Sequence, residues 1–257
     1  MNSRTSRRQF FKTASVVGLA TGPLSVLAET KSGDQSAKLK LICVGGHPDD
    51  PESGCGGTLA KFSEAGHDVK ILYLTRGEAG IPGKSHTESA SIRTKEAEAA
   101  CNILKVKPSF LGQIDGDTIV NKEWINKMTE FMENEKPDLV FTQWPVDSHP
   151  DHQAASLLTQ QAWLRAKKKF QLYFYEVCTG EQTMIFHPTD YVDITNEQAL
   201  KRRAIYCHIS QDPPGIYACG HEIMEKFRGV EAGVKAAEAF IKLNGNNSTS
   251  TILQLIN

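Results

Sequence analysis

Short apolar runs alternate along this chain with longer stretches in which apolar residues recur every three or four positions, a rhythm that predicts strands separated by helices. Leu39-Lys40-Leu41-Ile42-Cys43-Val44 reads as a buried strand. Pro48 must end it, because proline cannot donate into a sheet ladder and disfavours helix at the residue before it. Ser53 to Ala65 predicts a helix closed by Gly66, Asp68 to Thr75 a second strand, and Arg76 to Gly83 a glycine-rich loop. Ile92, Ala97, Ala100, Ile103 and Leu104 mark an amphipathic helix over Ser89 to Leu104. Phe110-Leu111 predicts a short strand, Asp115-Gly116-Asp117 a turn, and Asn121 the N-cap of a helix through Glu135. A strand over Asp138 to Trp144, a helix over His152 to Lys167 and the β-rich run Phe170 to Val177 follow. Tyr191 to Thr195 predicts a last short strand, while Asn196 to Cys207 and Ala232 to Leu243 predict helices. The alternation implies an α/β fold with one mainly parallel sheet covered on both faces.

Both ends fall outside this pattern. Ser6-Arg7-Arg8-Gln9-Phe10-Phe11-Lys12, then the uncharged stretch Ala14 to Val26 and the small-residue site Val26-Leu27-Ala28, form a twin-arginine export pattern. Residues 1–28 are therefore expected to be a signal peptide, and the mature protein to work in the periplasm. The stretch contains Gly18, Gly22 and Pro23 and is shorter than the roughly 20 apolar residues of a membrane span, so no stable span is expected. Residues 38–243 are expected to be the folded domain and 244–257 a flexible tail. A net charge of −1 leaves no basic footprint for nucleic acid. The cysteines, Cys43, Cys55, Cys101, Cys178, Cys207 and Cys219, include no CxxC pair and sit mostly in apolar runs. That favours buried free thiols over disulfides, even in an oxidising compartment.

Chemistry concentrates at two strand ends. His47-Pro48-Asp49-Asp50 follows the first strand, and His149-Pro150-Asp151-His152 follows the apolar run Leu139 to Thr142. Open α/β sheets bind ligands at the carboxyl ends of their strands. One such turn is ordinary loop chemistry, but two suggest a shared metal site. Catalytic zinc takes three protein ligands and keeps a place for water. His47, Asp50 and His152 would supply that set, which also suits ferrous iron. Asp49, beside Asp50, is the candidate base for the water. His149 would face the substrate from the other side as an imidazolium, with Asp151 raising its pKa by pairing with it. Gly54, Gly56 and Gly57 have the wrong spacing for a dinucleotide fingerprint. Arg93, placed in the first turn of its helix, gains nothing there from the helix dipole and is expected to face a partner anion. His67, His86, His187 and His221 read as surface or loop residues.

The motifs His47-Pro-Asp-Asp-Pro-Glu52, with Gly-Gly-Thr-Leu-Ala after it, and His149-Pro-Asp-His152 resemble the signature pair of the PIG-L/LmbE-like N-acetylglucosaminyl deacetylases. The Asp-Asp-x-Glu spacing is similar to the subgroup that includes the bacillithiol-pathway deacetylases. The likeness continues in Leu74-Thr-Arg-Gly-Glu-Ala-Gly80, Arg93-Thr-Lys-Glu-Ala-Glu-Ala-Ala100, Ser210-Gln211 and Gly233-Val-Lys-Ala-Ala-Glu-Ala-Phe240. What it implies is a Rossmann-like fold carrying a zinc hydrolase that removes acetyl from an N-acetylglucosamine-type amino sugar. His47, Asp50 and His152 would bind zinc, Asp49 would be the general base, and His149 the acid or oxyanion contact. Arg93 matches an arginine placed near the active site, toward substrate. His208 stands where relatives often carry tyrosine before x-Ser-Gln, so the phenol contact to the oxyanion is here either an imidazole contact or absent. Trp144, beside the second cluster, either stacks on a sugar ring or packs in the core. Export turns the expected substrate from cytoplasmic thiol precursors and inositol lipid toward an acetylated sugar in an extracytoplasmic glycan, glycolipid or imported oligosaccharide. A zinc amidase acting on another N-acyl substrate and a periplasmic sugar-binding relative without turnover remain as alternatives.

Overall fold

The computed structural model describes residues 38–243 other than 168 and 180, together with Ile256. The export segment and most of the expected tail lie outside the described residues. Five strands, β1 (Lys40–Gly45), β2 (Asp68–Tyr73), β3 (Lys107–Phe110), β4 (Leu139–Gln143) and β5 (Gln171–Tyr175), run parallel in the spatial order β3-β2-β1-β4-β5. β6 (Asp190–Asp193) and β7 (Ala237–Lys242) extend the sheet antiparallel, β7 against β5 and β6 against β7. The helices are α1 (Asp50–Glu64), α2 (His86–Leu104), α3 (Lys122–Glu135), α4 (Pro150–Arg165), α5 (Gln198–Ile205), the single turn α6 (Pro213–Ile216) and α7 (Glu222–Ala232). The described residues contain no helix long and apolar enough to cross a membrane.

Alternation along each strand divides the core into two layers. Leu41 and Cys43 of β1 join α1, α2 and α5 on one face, and Ile42 and Val44 join α3 and α4 on the other. Ile256 packs against the first of these layers, so the expected tail meets the core at that residue. Cys43, Cys55 and Cys101 are buried free thiols, and Cys178 and Cys207 are half-buried ones. From β1 the chain moves outward to β2 and β3, then returns to place β4 on β1's other side. The crevice between β1 and β4 is therefore the topological switch point, where such sheets bind ligands.

Three helix starts differ from the sequence expectation. α1 begins at Asp50 rather than Ser53, and α4 at Pro150 rather than His152, because a proline is pre-organised for a helix's first turn. α2 begins at His86, capped reciprocally by Ser85 and Glu88, so Arg93 lies about two turns inside it rather than in the first turn. The larger correction is at the C-terminus. Ala232 to Leu243, expected to be a helix, divides at Gly233, whose φ of 75° ends α7, and continues as β7. Alanine favours helix intrinsically, but here Ala237, Ala239 and Phe240 are all buried in the sheet, and that burial overrides the weak propensity.

Candidate active site

β1 and β4 run side by side, with Val44 in register with Thr142, and each leads through a His-Pro-Asp turn into a helix. Asp49, just before α1, has φ 106°, an unfavourable region for a residue with a Cβ. Such strain persists where the surroundings over-determine it. Here Arg93 Nη2 holds Asp49 Oδ2 at 2.9 Å and donates also to the Pro48 carbonyl. Gly54 lets α1 lie close to the sheet, since a Cβ at that position would fall 2.3 Å from the Tyr175 ring.

Asp50 stands between two histidines. Its Oδ2 is 3.1 Å from His47 Nδ1 and its Oδ1 is 3.3 Å from His152 Nε2. The second nitrogen of each ring meets another buried carboxylate. His47 Nε2 lies 3.0 Å from Asp151 Oδ2 and 3.2 Å from Asp115 Oδ1, while His152 Nδ1 lies 3.0 Å from Asp147 Oδ1. These carboxylates are themselves held. Asp151 accepts from the Gly116 N–H at 2.8 Å and the Thr118 hydroxyl at 2.6 Å, and Asp147 from the Thr183 hydroxyl at 3.0 Å.

The charges respond accordingly. Burial pulls His47 and His152 down, but the Asp50 charge and the surrounding carboxylates outweigh it, raising His47 well above its ordinary value and His152 to about 9. Burial raises Asp50, yet the two imidazoles hold it well below the usual carboxylate range. Burial also raises Asp49, against the Arg93 guanidinium, which lowers it. His149 is lowered, first by burial and then by the nearby His47 and His152. Its Nδ1 accepts from the Asp151 backbone N–H at 3.2 Å, which assigns the proton of the neutral ring to Nε2.

This donor set fits a divalent metal. Ligands about 2.0–2.2 Å from a tetrahedral ion lie roughly 3.3 Å from one another, close to the spacings of Asp50 from both rings. Carboxylates behind metal-binding histidines fix the ring orientation and raise ligand basicity, the arrangement that Asp151 and Asp147 make here. Donor atoms of His47, His149 and His152 lie within 4.8 Å of one another, as do those of His47, Asp115 and Asp151; neither group includes Asp50, whose place with His47 and His152 rests on its two pair distances.

His47, Asp49, Asp50, Arg93, His149 and His152 all border one cavity of about 560 Å³. Four expectations change. Asp151 pairs with His47, not with His149, because its carboxylate is directed to the ring at the end of β1. Burial, with His47 and His152 nearby, lowers the His149 pKa, which favours the neutral ring over the imidazolium that was expected. His208 is buried with Nε2 3.1 Å from Glu52 Oε1, which also accepts from the Tyr73 hydroxyl at 2.6 Å. It does not border the cavity, since a buried imidazole takes the available carboxylate, and so it is not placed as an oxyanion contact. His221, expected at the surface, is buried in a π-helical turn, Tyr217–His221, with Nε2 3.3 Å from Cys178 Sγ, and both residues line the cavity. Trp144 donates to the Met184 carbonyl and packs edge-on against Phe174 and Phe186, away from the cavity lining. The anion that Arg93 meets is Asp49. Asp147 and Asp115 carry no site reading in the sequence: Asp147 stands two residues before the second motif, and Asp115 reads only as part of the turn Asp115-Gly116-Asp117.

Fold and site together define the class: a Rossmann-like α/β protein with a candidate metal centre at the carboxyl ends of β1 and β4. Within that class, the chain belongs to the PIG-L family of LmbE-like deacetylases. The family model described as GlcNAc-PI de-N-acetylase matches residues 42–163. A diacetylchitobiose deacetylase of Thermococcus kodakarensis is 30% identical over 194 residues, covering 69% of this chain and 72% of that protein. The solved structure of the N,N'-diacetylchitobiose deacetylase of Pyrococcus horikoshii, with an inhibitor bound, superposes with a TM-score of 0.72 at 28% identity, covering 84% of this chain and 89% of that one. A conserved protein of Thermus thermophilus superposes with a TM-score of 0.70 at 32% identity, covering 83% and 99%.

Proposed function

We propose that this chain is a zinc-type metal hydrolase that removes the N-acetyl group from an N-acetylglucosamine-type amino sugar. One observation carries the reading: the two imidazoles that face Asp50 each hand their other nitrogen to a buried carboxylate. That arrangement suits metal ligands and has little use in a sugar-binding protein without turnover. The deacetylase activity of the relatives named above supports the choice of bond and substrate.

His47, Asp50 and His152 would hold the ion, and ferrous iron would fit the same set. Bound there, a divalent cation acidifies water and polarises the acetyl carbonyl. Asp49, held by Arg93, takes the proton from the attacking water as its oxygen bonds to the carbonyl carbon. His149 offers its Nε2–H as a hydrogen bond to the oxygen that gains charge, and the proton taken up by Asp49 passes to the nitrogen of the breaking C–N bond. Acetate and the free amine are the products.

The twin-arginine pattern supports export and hence an acetylated sugar of an extracytoplasmic glycan or glycoconjugate as substrate. The test is metal analysis of the purified protein, followed by release of free amine from a panel of N-acetylglucosamine derivatives. Zinc-loaded protein inert on the whole panel would overturn the reading. Fractionation of cells, with Arg7 and Arg8 both changed to lysine, tests export; periplasmic protein unaffected by that change would rule out the twin-arginine route.

A further inference from the structure

We propose that a groove beside the metal cavity binds an apolar arm of the substrate, a hydrocarbon or aromatic aglycone, rather than a further sugar ring. The inference rests on the deacetylase reading and names the substrate class more closely.

A second cavity of about 340 Å³ adjoins the first, and Cys178 and Glu181 line both. A molecule with its acetamido group near His47 and Asp50 therefore has a continuous path past those two residues. The floor of the second cavity is α7. Ile223 and Phe227, one turn apart, leave 60% and 55% of their surface exposed, with Met224 between them. Exposed apolar side chains grouped on one face beside a site are a mark of binding surface rather than of ordinary solvated helix.

The polar groups of the groove decide what kind of arm it takes. Arg228 directs Nε and Nη2 to Glu176 at 2.6 and 2.7 Å and Nη1 to Glu231 at 2.6 Å. The Thr179 hydroxyl donates to Glu176 as well. These donors are already committed to carboxylates of the protein. A sugar ring entering here would meet one uncommitted carboxylate, Glu181 at the junction with the first cavity, and no uncommitted charged donor, so most of its hydroxyls would be left short of partners, each bond lost on burial costing about 1–3 kcal/mol. An apolar arm has nothing to leave unpaired, and it covers Ile223 and Phe227.

The test compares methyl and octyl N-acetylglucosaminides, below the micelle concentration of the latter, on the zinc-loaded full chain. The expected kcat/KM for the octyl glycoside exceeds that for the methyl glycoside by roughly ten- to hundredfold, the gain from burying one large apolar group. Phe227→Ser should bring the ratio close to one, and Ile223→Ser serves if that variant does not fold. Val230→Ser, exposed on the same helix but outside the groove, should keep the preference. Equal kcat/KM values in the wild type, a preference that survives both groove variants, or diacetylchitobiose outperforming the octyl glycoside would overturn the proposal. If neither glycoside is deacetylated, the deacetylase reading is judged separately, on the whole panel of N-acetylglucosamine derivatives. The groove is then judged by calorimetry with octyl and methyl glucosaminide, and equal affinities overturn it.

Discussion

Arg93 and Asp49 form a 2.9 Å ion pair between α2 and the turn that opens α1. The cation holds down the pKa of a carboxylate that burial raises. It also anchors a residue whose backbone is strained at φ 106°. Since a general base must be deprotonated to act, removing Arg93 moves the onset of activity to higher pH. Arg93→Ala should therefore shift the acid limb of the kcat/KM profile upward and lower its plateau by about 10²-fold or more. Arg93→Lys should restore part of both effects. An unshifted acid limb in Arg93→Ala would mean that Arg93 serves the substrate and not Asp49.

The imidazoles make the metal-free protein sensitive to alkali. His152 titrates at about 9, against an ordinary 6.5, because the Asp50 charge and the Asp147 hydrogen bond outweigh burial, the largest single influence. A group raised in the folded state stabilises it fully below the ordinary value, and that stability is lost as pH rises through the folded value. Chelated protein should thus lose melting temperature between pH 6.5 and 9. A cation on the same nitrogens takes the place of the protons, so zinc-loaded protein should hold its melting temperature across the window. Parallel pH curves for the two forms would show that no ion engages His152.

Asp147 is the least conspicuous part of the site and should be among the most sensitive. It meets His152 Nδ1 at 3.0 Å, the Thr183 hydroxyl at 3.0 Å and the His149 backbone N–H at 2.9 Å, tying both histidines of the second turn to the segment after β5. Asp147→Asn should weaken zinc binding by about 10–100-fold, as loss of a carboxylate behind a metal histidine does elsewhere. Competition titration against a chromogenic chelator measures this directly. Affinity within twofold of wild type would remove Asp147 from the metal centre.

The contrast between Asp147 and Asp50 explains what the sequence makes legible. The candidate metal cluster could be read because proline stops a strand and starts a helix, so Pro48 and Pro150 fix where the flanking His and Asp residues must lie. The parallel core was legible for the same kind of reason, short apolar runs with helical periods between them. What escaped depends on how turns direct their side chains and on contacts between distant segments. Nothing local says that Asp147 turns back onto His152, or that Asp151 chooses His47 over His149. His208 looked like a site residue because its neighbours match a motif, but its ring is taken by Glu52, and Glu52 by Tyr73. β7 escaped because alanines adjoining Gly233 look helical until the sheet edge beside β5 is known to be open to them.

That last strand leads to a prediction about stability. Glu238 of β7 accepts from the backbone N–H groups of Gly57 and Thr58 at 2.9 and 2.7 Å, reaching into the middle of α1. Lys201 of α5, fully buried, lies 2.7 Å from Glu238 and 2.8 Å from Glu225 of α7. One cation thus joins two carboxylates and, through them, α1, α5, α7 and β7. Removing it strands two buried negative charges, and breaking a buried pair in this way costs about 3–5 kcal/mol. Lys201→Met should lower the urea midpoint accordingly. Adding Glu225→Leu should recover part of the loss, since one stranded charge is then gone while Glu238 keeps its two N–H partners. The decisive comparison is between the single and the double variant: if Glu225→Leu makes Lys201→Met worse, the lysine fills space in the core and its charge is not what joins these four elements.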